Sequence, residues 1–312
     1  MNADWVPLEI TPADVGVKPC QGGLIRYLNE VANIDEQLVE SKALLFRGFK
    51  VQRAGIDEVL DNILRDRLAY LHGNTPRVKV GKDLYTSTEY PKEYAIWMHS
   101  ELSYAHAWPS RLAFYCERPA EAGGATPLVD CERWLAALDS DIRNAFVQGV
   151  RYTQNLHGGM GFGKSWQSTF ETDNRAKVEE FLSQSNANWE WRENGGLRIV
   201  QRRPSTVKHP VTGVEVWFNQ ADQWHPVAGL DDETATALAG ILPEDEFPQS
   251  VSLADGTPIP AQWAIQIRER GLESAIDIAW ETGDVLLIDN VLVAHGRRPF
   301  TGDRRILVAM SN

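Results

Sequence analysis

The apolar runs in this chain are short and separated by turns. Residues 42–49, KALLFRGF, form one that ends near a glycine, and this predicts a buried strand. Ile56, Val59, Leu60 and Ile63 then recur at helical spacing, which predicts an amphipathic helix over residues 55–71, stopped by Gly73 and Pro76. Residues 76–93 are polar and punctuated, and are expected to form a loop. Strand-like runs follow at 94–98 and 111–116, and at 125–129 beyond the Gly123-Gly124 turn. Asp130 is placed to cap a helix over 131–138. Residues 155–172, rich in Gly, Trp, Phe and Ser, predict a long ordered loop of the kind that often carries function. Residues 174–185 and 232–241 read as helices and 214–219, VEVWFN, as a strand. The apolar, β-branched runs at 284–289, 291–294 and 305–310 are separated by turns.

Many short strands, with helices gathered in the N-terminal half and in insertions, predict a mainly β core with α elements (α+β). No regular strand–helix alternation suggests a doubly wound sheet. GxGxxG after a strand, GxxxxGK[ST], GxSxG and HExxH are all missing, which disfavours several large enzyme classes. No repeat, low-complexity tract or linker divides the chain, so a single domain over residues 1–312 is expected.

Composition narrows the setting. With 43% hydrophobic and 24% charged residues in 312, the chain can bury a core that needs no staples. Its net charge of −12 repels phosphate backbones, so nucleic acid is not an expected partner, while a local basic pocket for a carboxylate remains compatible. Cys20, Cys116 and Cys131 form no CxxC or zinc-like spacing and suit a reducing compartment. Asp4 and Glu9 interrupt the first ten residues, where a signal peptide would need a basic start and an apolar run. No segment approaches the ~20 apolar residues of a membrane span. A cytoplasmic protein is expected.

One constellation carries chemistry. His99-Ser100-Glu101 ends a strand-like run, and alternate residues of an extended segment point the same way. The pair can thus offer an imidazole and a carboxylate to one ion. A second histidine, His295, follows LLIDNVLVAH. Two histidines and one carboxylate form the facial triad of non-haem iron(II) oxygenases, with positions left open for a bidentate co-substrate and dioxygen. HxE alone is a weak signal. It gains weight from GRRPFTGDRR after His295, which carries Arg304 and Arg305 into the last strand, where a guanidinium can grip a distal carboxylate. Thr126 can add a hydroxyl to the same carboxylate. The bland alternative, that Arg304 and Arg305 are solvated turn residues, is expected to hold for one of them.

The runs ALLFRGF, WMHSELSYAHAWPSRLAFYCERPAEAGGATPLVD, SWQSTF, VWFNQADQWH and DNVLVAHGRRPFTGDRRILVAM extend from residue 42 almost to the C-terminus. In their order, the chain resembles the taurine dioxygenase/TfdA-like superfamily of iron(II)/2-oxoglutarate oxygenases. It is most similar to the branch that hydroxylates amino acids in nonribosomal peptide and related natural-product pathways. The resemblance implies a double-stranded β-helix, or jelly roll, dressed by helices and long loop insertions. It implies iron ligands at His99, Glu101 and His295, and 2-oxoglutarate binding by Thr126 and Arg304, with Arg305 as the alternative register. The implied reaction consumes O2 and 2-oxoglutarate, releases succinate and CO2, and hydroxylates an aliphatic C–H of an amino acid that is free or carrier-bound. Glu101 stands where other members have Asp. Related halogenases have a small residue there to admit chloride, so halogenation is disfavoured.

The remaining candidates are substrate contacts: His106, Asn155, Trp166, Arg202, Phe218 and Asn219, with Arg203 beside them. His106, His157 and His225 read as pocket or core residues rather than ligands, since the triad is complete without them. His72 and His209 are expected to do no chemistry. Trp97, Trp217 and Trp224 suit a pocket wall, although aromatic residues more often fill core. Desaturation or epoxidation would use the same cofactors. A non-catalytic cupin-like binder or a zinc hydrolase would give no reason for the distal arginine.

Overall fold

The computed structural model describes residues 5–31, 33–69, 78–87, 90–161, 163–227, 243 and 246–312. Its centre is a seven-stranded sheet, ordered Leu8–Ile10, Ala43–Phe46, Val285–Asp289, Arg111–Arg118, Arg305–Ser311, Leu84–Thr86, Lys79–Gly81. The middle strands are apolar on both faces because both faces are covered. On the last strand, Ile306, Val308 and Met310 point into one core, while Leu307 and Ala309 point into another. The second core is closed by the helices Gln21–Glu30, Ile34–Ser41 and Ile56–Ile63, through residues such as Leu24, Leu38, Val59 and Leu60.

The first core lies between this sheet and a four-stranded one, ordered Ile276–Ile278, Thr126–Asp130, Val293–Arg297, Ile96–His99. The facing sheets are those of a double-stranded β-helix dressed by helices. Another four-stranded sheet (Asn188–Trp191, Leu197–Arg203, Val150–Leu156, Gln249–Leu253) stands beside it. Its own small core is closed by the helices Trp166–Phe170 and Arg175–Gln184. Among the described residues, no helix is long and apolar enough to cross a membrane.

Most predicted elements are present within a few residues. Asp130 caps the helix Cys131–Ala137 by accepting from the N–H groups of Glu132 and Arg133. Asn174 does the same for Arg175–Gln184. Three expectations need correction. The helix expected over 55–71 ends at Ile63, because Arg67 folds back to pair with Asp57 at 2.7 Å and Asp66 takes a positive φ of 48°. Residues 76–93, expected as a loop, contain the hairpin Lys79–Gly81/Leu84–Thr86, which extends the large sheet by pairing with the last strand. Tertiary pairing overrides a polar local sequence there. In the loop expected over 155–172, Asn155 and Leu156 finish a strand, and Ser165 caps a helix by accepting from the Ser168 N–H. The helix predicted over 232–241, together with His72, Gly73 and Pro76, lies outside the described residues.

Candidate metal and co-substrate site

His99 and His295 are direct cross-strand partners in the smaller core sheet. Their rings lie 4.5 Å apart between centroids, and Phe114 packs 5.1 Å from the His295 ring. Each of His99, Glu101 and His295 offers a ligand atom, and these atoms lie within 4.8 Å of one another. The donor set of two imidazoles and one carboxylate fits a divalent iron. The His99 Nδ1 lies 2.8 Å from the Trp97 carbonyl, which can only accept, so Nδ1 carries the proton and Nε2 keeps its lone pair for a metal. Gly296 lets the strands close here, since a Cβ would meet the Ile96 carbonyl oxygen at 2.5 Å.

Strand alternation does not deliver Glu101, however. The strand Ile96–His99 ends before it, Glu101 lies in a turn, and Leu102 adopts a φ of +57°. A leucine in that region costs about 1–3 kcal/mol and persists only where its surroundings hold it. Asn290 does the holding: its Oδ1 accepts from the Glu101 N–H at 2.7 Å and its Nδ2 donates to the Glu101 carbonyl at 3.1 Å. The helix Ala221–Trp224 and its N-cap latch the same stretch. Gln220 donates to the Ser100 carbonyl, and Gln223 to those of Trp97 and Met98.

Beside the histidines runs a cavity lined by Ser87, Ile96, His99, Phe114, Thr126, His295, Gly296, Arg297, Arg304, Ile306 and Val308. Arg304 Nη2 donates to Thr126 Oγ1 at 3.3 Å and its Nε to the Gly124 carbonyl at 2.8 Å. Trp280 Nε1 donates to the same hydroxyl at 3.0 Å. Gly124 makes this passage possible: its φ is +69°, and a Cβ would sit 3.0 Å from Arg304 Cδ. Arg297 donates to the carbonyls of Tyr90, Pro91 and Tyr94. Among the described residues, the hydrogen bonds of both arginines go to uncharged acceptors. Burial pushes the Arg304 guanidinium down to about 10, and the charge of Arg297 pushes it the same way. A buried cation without a counter-charge is stabilised by an incoming carboxylate. Arg305 is exposed, outside this lining, and paired with Glu117 at 2.8 Å.

The other candidates scatter. His106 and Arg202 are exposed. Asn155 donates to the Phe247 carbonyl and lines a separate cavity with His157 and Trp191. Trp166 packs edge-on against Trp191. Phe218 is buried against Trp108, Asn219 spends its amide on Ser205 and Ala221, and Arg203 is tied to Ser185 and Gln201. Trp217 and Trp224 belong to the main core, and Trp97 lies under the Arg268 guanidinium. His225 bonds to the Ile259 carbonyl. Sequence reasoning missed Asn290, Gln220, Gln223, Trp280 and Arg297. The Asp289-Asn290 turn dipeptide before the distal histidine was the one local signal for the first.

The sequence profile of the taurine catabolism dioxygenase TauD, TfdA family matches residues 19–310. The dapdiamide synthesis protein DdaC of Enterobacter agglomerans is 37% identical over 279 residues, covering 89% of this chain and 84% of its own. A clavaminate synthase-like protein of Arabidopsis thaliana is 31% identical over 288 residues, with coverages of 89% and 83%. Among solved structures, the PvcB protein of Pseudomonas aeruginosa superposes with a TM-score of 0.55 at 13% identity, covering 99% of this chain and 86% of the other, a likeness of fold.

Proposed function

Because the chain belongs to the TauD, TfdA family and is an Fe(II)- and 2-oxoglutarate-dependent oxygenase, we propose that it hydroxylates an aliphatic C–H bond of an amino acid or amino-acid-derived substrate in natural-product biosynthesis, releasing succinate and CO2. In this reading His99, Glu101 and His295 bind the iron. Arg304, assisted by Thr126, holds the distal carboxylate of 2-oxoglutarate, and Arg305 stays at the surface. The observation that carries it is the single cavity lined by His99, His295, Thr126 and Arg304. Bound iron and 2-oxoglutarate supply the activation of dioxygen. The chain supplies fixed ligand geometry, the orientation of the co-substrate, and walls of Ile96, Phe114, Ile306 and Val308 that exclude water.

Two observations favour an amino acid over a sulfonate. One is the 37% identity to a protein of dapdiamide synthesis. The other is the strand beyond Arg304, where the cavity-facing positions are Ile306 and Val308 and no further cation follows, while the cavity's second cation, Arg297, already donates to the carbonyls of Tyr90, Pro91 and Tyr94. The whole chain acts as one catalytic domain in the cytoplasm, on a small molecule that is free or carried on a protein. The test is substrate-dependent succinate formation with iron(II), ascorbate and 2-oxoglutarate, run on amino acids, amino acids loaded on a carrier protein, and taurine. Mass spectrometry should find the gain of one oxygen on an amino-acid form. Coupled turnover of taurine with none of any amino-acid form would sink this reading.

A further inference from the structure

Glu101 sits in a turn, so something other than its strand must aim it. We propose that His209, Asp289 and Asn290 form a positioning relay that sets Glu101 against His295; the inference rests on the metal assignment above. Asn290 is fully buried and grips both peptide groups of Glu101, and its amide also donates to the Pro109 carbonyl at 2.8 Å. It lies in the turn between the strands Val285–Asp289 and Val293–Arg297, five residues before His295. One turn therefore connects two of the three ligands.

That turn is built on Asp289. Its Oδ1 accepts from the N–H groups of Val291 and Leu292, at 2.9 and 3.0 Å. Its Oδ2 lies 3.0 Å from His209 Nε2. The tautomer of His209 follows from its other side. Nδ1 accepts from the Thr212 N–H at 3.1 Å, so the proton sits on Nε2 and is donated to Asp289. His209 and Asp289 are 4% and 6% exposed, so no water can replace a lost partner cheaply. With both carboxylate oxygens engaged, Asp289 has one orientation, the turn has one conformation, and Asn290 has one position from which to hold Glu101. His209 is not part of the cavity lining, and among the described residues its ring hydrogen-bonds to Thr212 and Asp289, so it acts through Asp289 and Asn290.

The test compares His209→Leu, which removes the donor, with His209→Gln, which can keep one for Asp289 Oδ2. Iron(II) affinity is titrated anaerobically with saturating 2-oxoglutarate, by the visible band of the chelate. The metal-free fold is followed by near-ultraviolet circular dichroism. The relay predicts that His209→Leu and Asp289→Asn weaken iron affinity about 10-fold or more while the metal-free fold persists, whereas His209→Gln stays within about 3-fold of the parent. In Asp289→Asn the new amide N–H faces the His209 N–H, and adding His209→Gln supplies an acceptor, so the double variant should recover affinity. Parent-like affinity in His209→Leu and Asp289→Asn would overturn the relay. Collapse of the metal-free fold in both would assign the trio to general packing and overturn it too. If the parent gives no band, or His99→Ala keeps it, the metal assignment fails instead, so the two failures are distinguishable.

Discussion

The two four-stranded sheets treat polar residues in opposite ways. In the sheet that carries the histidines, Thr126–Asp130 and Val293–Arg297 are buried at every position, yet they include Thr126, His295 and Arg297. In the sheet beside it, Asn188–Trp191 is exposed or half-buried throughout and Leu197–Arg203 mixes buried with half-buried and exposed positions, with Glu190 and Arg202 exposed. A polar side chain on a half-solvated sheet costs almost nothing and carries little information. The same side chain inside a doubly covered sheet costs stability unless it is paired or serves a ligand. A polar residue at a buried position is thus the better pointer to function, and it separates Thr126 and His295 from Glu190 and Arg202.

The sharpest way to break this contrast is to remove a ligand. His99→Ala and His295→Ala should abolish the visible band of the iron–2-oxoglutarate chelate and reduce turnover to background. An unchanged band in both variants would remove these residues from the metal site. Glu101→Ala should abolish most hydroxylation, and the unmutated protein should yield no chlorinated product with added chloride, as read by mass spectrometry. Next come the two arginines. A charge-assisted hydrogen bond contributes about 1.5–3 kcal/mol, so Arg304→Ala should raise the KM for 2-oxoglutarate at least ~10-fold. Arg305→Ala should shift it under ~2-fold, because Arg305 is exposed, outside the cavity lining and paired with Glu117. Steady-state kinetics decide the order, and its reversal would move the co-substrate register by one residue. On the neighbouring sheet, Arg202→Ala should leave both iron affinity and that KM unchanged.

The smallest effect is a pH dependence. Asp222 is buried, and desolvation raises its carboxyl to about 6 against the nearby Arg268. A raised folded-state pKa means the native protein holds this proton more tightly than the unfolded chain. Ionisation therefore costs stability above about pH 6, and the cost is relieved as pH falls through that value. Asp222→Asn should consequently stabilise the protein by about 1–2 kcal/mol more at pH 8 than at pH 5, measured by urea denaturation at both. Equal effects at the two pH values would remove Asp222 from this role.

The local sequence already contained most strands of the core. The runs at 42–49, 111–116, 284–289 and 305–310 are apolar on both faces, and such runs bury themselves wherever the chain places them. The cap at Asp130 was equally readable, because a cap is a contact between near neighbours. The metal-binding residue types and the resemblance around them were also present in the sequence, in the HxE pair, the distal histidine and the paired glycines before Thr126. The tertiary structure decided the rest. It made His99 and His295 cross-strand neighbours across some 200 residues, and it chose Arg304 over Arg305 for the cavity by fixing which face of the last strand turns inward. It also moved Glu101 off the strand and gave it to Asn290, 189 residues away. Periodicity describes one element at a time. The aim of a side chain that two distant segments hold between them exists only once those segments have packed.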